Sequence, residues 1–286
     1  MKRKIKYNGG QLGYLIFGNG FLGNKFRMFL GVDAALIGGR INGSDDIKCW
    51  IEKFAPDVVI NCIGKTGKPN IDWCEDHKDE TLFSNVIIPL LMREVCKQHK
   101  VKFVNISTGC IYKSYVGEVF DEGDHPNFFG SYYSRTKYHV EQLLSDFDGV
   151  LQLRIRMPLD GIPSDKNIIS KLVKYKTIIN VPNSMTYIPD FLDISKKLIE
   201  KNASGIYNVV NKGAITHSQI LDKYKEVIDP TLKYKVISLD RLYNKVKAER
   251  SNCVLSVRKL EEDEGINVRS IEDAVDLAIH EYAKNL

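Results

Sequence analysis

Tyr14-Leu15-Ile16-Phe17-Gly18-Asn19-Gly20-Phe21-Leu22-Gly23 is the stretch from which the rest of the chain can be read. Four consecutive apolar residues form a run too short for a buried helix, and a glycine ends it, so they read as a strand buried on both faces. Gly18, Gly20 and Gly23 then fall in a G-x-G-x-x-G pattern, and a helical pattern begins at Leu22. In that context one glycine makes the tight turn, one lets backbone approach a pyrophosphate, and one lets helix and strand pack closely. The phosphates would sit at the positive end of the helix. Gly18, Asn19, Gly20, Phe21, Leu22 and Gly23 are therefore expected to form a dinucleotide-binding loop.

The same alternation continues outward. Ala34 to Ile37, Asp57 to Asn61, Val101 to Ile106 and Val150 to Ile155 read as further buried strands. Asp45 to Phe54, Glu80 to His99 and Ser134 to Phe147 read as the intervening helices. Apolar strands of four to six residues, each followed by a helix, predict a doubly wound α/β fold with a parallel sheet. After Pro158 the pattern loosens into shorter strands, with prolines at 163, 182, 189 and 230. Helices are expected there at Asp190 to Lys201, His217 to Val227 and Ile271 to Tyr282. This region reads as a smaller C-terminal lobe, without an internal repeat or a low-complexity linker.

The chain has 286 residues, 43% of them hydrophobic, enough to bury a sizeable core. The net charge of +5 is mild, and the cations are interleaved with acids. That pattern argues against a nucleic-acid binder and suits an anionic small-molecule partner. The six cysteines have no C-x-x-C pair and no histidine at ligand spacing, so no metal is expected, and free thiols point to a reducing compartment. Met1 to Gly13 is charged and lacks the apolar stretch of a signal peptide, and no run approaches about 18 apolar residues. A cytoplasmic protein that does not enter a membrane is expected.

At the end of the second strand a carboxylate would hold the ribose hydroxyls of NAD. Gly38, Gly39 and Arg40 stand there instead. An arginine can grip a 2′-phosphate with two parallel hydrogen bonds, so NADPH is the expected cofactor. Further on, Tyr133 and Lys137 are four apart and share one helix face. A neighbouring ammonium lowers a tyrosine from its usual value of about 10, so that it can exchange a proton with a carbonyl oxygen. Tyr243 and Lys247 have the same spacing, but only the first pair follows the fourth strand, which ends in Ser107-Thr108. A hydroxyl there can hold the same oxygen. Hydroxyl, phenol and ammonium together make a set for carbonyl reduction by hydride from a nicotinamide.

The glycine loop, Thr108, Tyr133 and Lys137 resemble the extended short-chain dehydrogenase/reductase family. Asn61-Cys62-Ile63-Gly64 resembles that family's turn beside the cofactor, and Asn85 falls where it has a helical asparagine. Several longer segments are similar to bifunctional enzymes that make UDP-L-rhamnose in plants, with a counterpart in giant viruses. They are residues 66–75 (TGKPNIDWCE), 108–112 (TGCIY), 126–137 (PNFFGSYYSRTK), 154–158 (RIRMP), 182–185 (PNSM) and 250–252 (RSN). The glycine loop departs from the family's usual form by being one residue shorter.

The resemblance implies a Rossmann-type cofactor domain over 1–160, completed by about 186–212, and a mainly nucleotide-sugar lobe over 161–286. It implies a 3,5-epimerase and 4-reductase acting on UDP-4-keto-6-deoxy-D-glucose, and it is compatible with a homodimer. A 4-keto group acidifies C3 and C5, because the carbanion becomes an enolate that Thr108 and Tyr133 could stabilise. Cys110 and Lys171 match the extra acid and base. If the chain is still extended after Thr108, Cys110 points the same way as that residue. Gly109-Cys110 stands where related 4,6-dehydratases carry an Asp-Glu pair, which argues against dehydration. Asn61, Cys62 and Gly64 are expected at the cofactor. Lys68, Asn70, Asp72, Trp73 and Asn85 are expected near the sugar, and Asn183, Met185, Arg250 and Asn252 near the uridine diphosphate. A 4-reductase without epimerase activity is the alternative. A binding protein that has lost catalysis fits poorly with intact Thr108, Tyr133 and Lys137.

Overall fold

A computed structural model describes residues 13–115 and 117–286, so all but the last residue of the Met1 to Gly13 segment lies outside the described residues. The chain forms β1 (Tyr14–Phe17), α1 (Phe21–Leu30), β2 (Ala34–Ile37), α2 (Ser44–Phe54), β3 (Val58–Asn61), α3 (Trp73–Asp76), α4 (Lys78–Leu82), α5 (Ile88–His99) and β4 (Lys102–Thr108). It continues through β5 (Val119–Phe120), α6 (Tyr132–Ser145), β6 (Leu151–Ile155), β7 (Pro158–Leu159), α7 (Ile168–Leu172), β8 (Thr177–Ile178), β9 (Thr186–Tyr187) and α8 (Ile188–Glu200). The last elements are β10 (Gly205–Asn208), α9 (His217–Val227), β11 (Lys235–Val236), α10 (Leu239–Tyr243), β12 (Val254–Leu255), α11 (Arg258–Glu262) and α12 (Ile271–Lys284).

Six strands form one sheet in the order β10-β6-β4-β3-β1-β2. β1 pairs in parallel with β2 and β3, and β3 in parallel with β4, with Tyr14 beside Ala34 and Val58, and Val58 beside Lys102. All four residues of β1 and of β3 are buried, as continuous apolar runs require. The expected doubly wound α/β sheet is therefore present.

Two compact units divide the chain. The first comprises residues 13–107, 131–153 and 201–206. Its core joins Leu15, Phe17, Val59 and Phe103 of the sheet to Ile47 and Ile51 of α2, Met92 and Val95 of α5, and Val140 and Leu144 of α6. The second comprises residues 108–130, 154–200 and 207–286. Its core gathers Ile169 and Leu172 of α7, Met185, Tyr187, Ile220 and Leu221 of α9, and Ile271, Val275 and Ile279 of α12. Three two-stranded sheets, β12-β5, β11-β8 and β7-β9, belong to it.

Caps set several boundaries. Ser131, Thr216 and Ser270 each accept a backbone N–H at the start of α6, α9 and α12, and Thr216 with Gln219 completes a capping box. The expected helix from Glu80 to His99 differs from the observed one. It is divided into α4, a π-helical turn over Phe83–Ile87, and α5. Pro89 has no N–H to give the carbonyl of Asn85, and its ring crowds that carbonyl, so the wider turn accommodates it.

Candidate active site

The glycine loop is built by exclusion of side chains. Gly18 has φ +100°, and a Cβ there would lie 2.9 Å from the Cys62 carbonyl carbon. A Cβ at Gly23 would lie 1.8 Å from the Gly18 oxygen, so α1 can approach the loop only because that residue is glycine. Gly20 caps α1 with no atom within 4 Å of where its Cβ would be. No side chain caps the first turn of α1 and no acid lies in it, which leaves its amides facing outward at the positive helix end. Asn19 lies against Gly38, while Phe21 and Leu22 are half-buried. Arg40 is exposed just after β2, in the same unit. This cradle fits a dinucleotide phosphate.

The turn after β3 is fastened from both sides. Asn61 is buried, donates to the Asn105 Oδ1 at 2.9 Å and accepts the Ile63 N–H at 3.0 Å. Asn85 sits in the π-helical turn, wholly buried. Its Oδ1 accepts the Lys65 N–H at 2.7 Å, and its Nδ2 donates to the Lys65 carbonyl at 3.1 Å and to Thr136 Oγ1 at 3.2 Å. A Cβ at Gly64 would meet the Asn85 Oδ1 at 3.5 Å. Asn85 therefore ties the loop after β3 to α6. Its amide is engaged by protein groups, which is a shaping role that the residue type alone did not indicate.

On α6 the spacing is realised as expected. Tyr133 is half-buried in the first turn and Lys137 follows one turn later with 6% exposure. Lys137 Nζ donates to the Ile106 carbonyl, near the end of β4, at 2.8 Å. Burial pushes its ammonium down to about 8, against Glu141, which pulls it back up. Glu141 is itself wholly buried and accepts the Ser107 hydroxyl at 2.6 Å. At the start of α6, Glu75 accepts the Tyr132 N–H at 2.6 Å and lies 3.9 Å from Arg135. Glu75 and Glu141 were missed from sequence. Glu141 carried a faint signal, an acid one turn beyond Lys137 on the face that α6 buries. By contrast, Tyr243 ends the short α10, and its hydroxyl reaches the Arg250 carbonyl at 3.4 Å.

The segment before α3 is compact. Gly67 has φ +67° and would clash with Trp73 Cβ at 2.4 Å if it carried a side chain. The Asn70 Oδ1 accepts the Asp72 N–H at 2.9 Å. Trp73 stacks on His77 with centroids 3.8 Å apart, and the Lys65 ammonium lies 5.4 Å from its ring. Lys68 is exposed on the same loop.

In the second unit, the chain does not stay extended past Thr108. It turns at Gly109-Cys110, so strand alternation does not set the direction of Cys110. Instead the Cys110 N–H donates to Thr108 Oγ1 at 3.1 Å, and the Cys110 sulfur accepts from Arg156 Nη1 at 3.1 Å. Arg156 is wholly buried and also donates to the Ser251 Oγ at 2.9 Å, to the Ser251 carbonyl at 3.2 Å and to the Asn183 Oδ1. Asn183 in turn donates to Asn252 Oδ1 at 3.0 Å, and Asn252 donates to the Arg250 carbonyl at 3.2 Å. Arg250 donates to the Ala248 carbonyl. Met185 lies in the core, so its side chain packs instead of facing outward. Lys171 lies in the last turn of α7, and burial, followed by the nearby Lys166, pushes its ammonium down, with Asp165 opposing. The second unit thus gathers Thr108, Cys110, Asn183 and Asn252 around an arginine that sequence reasoning gave no role.

Residues 18–284 match the family described as RmlD substrate binding domain. A bifunctional dTDP-4-dehydrorhamnose 3,5-epimerase/dTDP-4-dehydrorhamnose reductase of Arabidopsis thaliana is 37% identical over 258 residues, 86% of this chain and 86% of that protein. Among solved structures, the L780 UDP-rhamnose synthase of Acanthamoeba polyphaga mimivirus superposes with a TM-score of 0.88 and 29% identity, over 95% of this chain and 100% of that one. A dTDP-4-dehydrorhamnose reductase from Bacillus anthracis, solved in complex with NADP, shares the fold with a TM-score of 0.82 and 20% identity, over 95% of this chain and 99% of that one. With nearly its whole length matched, the chain belongs to the RmlD substrate-binding-domain family of reductases.

Proposed function

We propose that this chain converts UDP-4-keto-6-deoxy-D-glucose to UDP-L-rhamnose, by epimerisation at C3 and C5 and NADPH-dependent reduction at C4. The observation that carries the reductase half is the Lys137 ammonium, buried against the Ile106 carbonyl one helical turn from Tyr133. The cation favours the ionised phenol, so Tyr133 can pass a proton near neutral pH and regain it afterwards. NADPH, when bound, supplies the hydride for C4. Gly18, Gly20 and Gly23 would hold its pyrophosphate, Asn61, Cys62 and Gly64 its nicotinamide side, and Arg40 its 2′-phosphate. Tyr133 protonates the O4 that reduction creates, and Thr108 hydrogen-bonds the sugar's carbonyl oxygen.

For epimerisation, Cys110 and Lys171 are the proton carriers. Each C–H proton leaves to a base on one face and one returns from an acid on the other, with the electron pair held meanwhile as the enolate. Lys68, Asn70, Trp73 and Asn85 shape the sugar end, and Asn183, Arg250 and Asn252 the nucleotide end. Support comes from the similarity to the bifunctional epimerase/reductase of Arabidopsis and to the UDP-rhamnose synthase of the mimivirus. A cytoplasmic setting suits six cysteines outside any disulfide. Among the described residues no helix is long and apolar enough to cross a membrane.

Incubation of the purified chain with the 4-keto sugar in deuterated water, without NADPH, separates the halves. Deuterium entering C3 and C5 is the expected result. No exchange, with NADPH still consumed on a pre-epimerised 4-keto sugar, would leave a 4-reductase alone.

A further inference from the structure

Arg156 takes no part in the reading above, yet it is among the largest fully buried side chains of the molecule. Its backbone is pinned on both sides by one residue. Its N–H donates to Thr186 Oγ1 at 3.0 Å, and its carbonyl accepts the Thr186 N–H at 2.8 Å. The side chain passes over Gly109, where a Cβ would lie 2.9 Å from Arg156 Cδ and 2.5 Å from Leu255 Cδ1. Any residue larger than glycine at 109 would displace the arginine stem. Beyond that gap one guanidinium nitrogen, Nη1, touches both the Cys110 sulfur and the Ser251 hydroxyl. The Ser251 hydroxyl proton is already committed, because its Oγ donates to the Tyr112 carbonyl at 2.6 Å. Its lone pairs are what face Arg156, so the hydroxyl anchors the guanidinium and does not compete for the sulfur.

The named oxygen acceptors of Arg156 are neutral: the Ser251 hydroxyl, the Ser251 carbonyl and the Asn183 amide oxygen. Two titratable groups coupled to it, His217 and Cys253, bring no negative charge of their own at neutral pH. Burial and then the guanidinium push His217 down to about 4, so it is neutral at working pH. Burial pushes the Cys253 thiol up, which keeps it protonated. Among these named neighbours the Cys110 sulfur is the one that can take up negative charge and give it back. A sulfur held by a cation reacts as the thiolate, and a buried cation next to it avoids part of its own desolvation cost when the sulfur is charged.

We infer that Arg156 is the positioning residue of the epimerase half: it holds the Cys110 sulfur as the thiolate that removes a sugar proton, and Gly109 is the space that lets it do so. This deepens the proposed function and rests on it. In the step, the thiolate takes the proton from C3 or C5 to become a thiol, and the C–H electron pair moves into the enolate. The guanidinium stays protonated throughout. Return of that proton to bulk solvent restores the thiolate beside Arg156. The Gly109-Cys110 pair is then one device, since the first residue admits the cation that the second requires.

The test reads the thiol directly, so that it does not depend on turnover. The full chain is labelled with iodoacetamide at pH 7 and at pH 9.5, and modification of Cys110 is followed on its own peptide by mass spectrometry. Arg156→Met is expected to slow labelling at pH 7 by about tenfold while changing it less than about twofold at pH 9.5, where thiols ionise unaided. Arg156→Lys should restore much of the pH 7 rate, because it returns the charge without the fork. If Arg156→Met does not fold, Gly109→Ala keeps every charged group while displacing the arginine stem together with the apolar Leu255 side chain, and the same selective loss at pH 7 is expected. Equal slowing at both pH values, or none, in the folded variants overturns the inference. Failure of the wild-type chain to exchange deuterium into its substrate would instead overturn the epimerase reading, and leaves the labelling comparison readable by itself.

Discussion

Lys137 shows how much a single buried amine determines. Its ammonium titrates at about 8 in the folded chain because burial outweighs the pull of Glu141. In the unfolded chain a lysine titrates near 10.4. Between these values the unfolded state binds more protons, so this group makes the folded state more stable as pH rises through the window. Below about 8 both states are protonated and the full cost of burying the charge is present. Replacing it by methionine removes that dependence. Urea unfolding at pH 7.5 and 9.5 should therefore show the wild type gaining about 2 kcal/mol relative to Lys137→Met between the two. A parallel pH dependence in both proteins would contradict a depressed ammonium. Tyr133 makes the complementary case. Tyr133→Phe deletes only the hydroxyl of a half-buried side chain, so the unfolding midpoint should hardly move. Loss of the proton donor should lower NADPH consumption by roughly 100-fold or more, and an unchanged rate would assign the proton to another group. The place of both residues one turn apart on a helix after the fourth strand was legible from their spacing and their position in the chain. Glu141 and Arg156 were not, because a buried charge acquires meaning only from partners brought in from distant elements, Ser107 in one case and Ser251 and Asn183 in the other.

At the scale of elements, the sheet could be read because its strands are buried on both faces and so appear as unbroken apolar runs. Helix limits were read less well where a backbone rule intervened, as at Pro89, whose missing N–H opens the π-helical turn that carries Asn85. The same pairing of rule and function holds in the β1–α1 connection. Gly23 is conformationally ordinary, yet its Cα hydrogens face the Gly18 carbonyl so closely that a methyl group would lie 1.8 Å away. Gly23→Ala must therefore push α1 and the loop apart. It should cost about 1–3 kcal/mol in stability, as overpacking does, and should weaken NADP+ binding in calorimetry by more than about tenfold, since the amides at the start of α1 no longer converge. Gly20→Ala, with open space around its Cβ, is the control for stability and should change it by less than about 0.5 kcal/mol. Equal stability losses in the two variants would mean that the close approach at Gly23 is not what shapes the loop.

For the molecule as a whole, the placement of tryptophan offers a direct readout of cofactor choice. The chain has two tryptophans, Trp50 and Trp73, and both lie in the unit that carries the glycine loop and Arg40. Trp50 packs against that unit's core and stacks on Phe54, while Trp73 stacks on His77. Tryptophan emission during denaturation therefore reports the cofactor-binding unit, and any ligand that binds only its folded form raises the midpoint by mass action. At a hundred times its dissociation constant, NADP+ should add about 2.7 kcal/mol. NAD+ lacks the 2′-phosphate that Arg40 would grip, so at the same concentration its effect should be smaller by more than about 1.4 kcal/mol, the equivalent of a tenfold difference in affinity. Arg40→Ala should then reduce the NADP+ effect to that of NAD+ and leave the NAD+ effect as it was, because the arginine is exposed and its loss leaves no buried group without a partner. Were NAD+ to protect the wild-type chain as strongly as NADP+, the absence of an acid after β2 would have been misread, and Arg40 would be a surface cation with no part in choosing the cofactor.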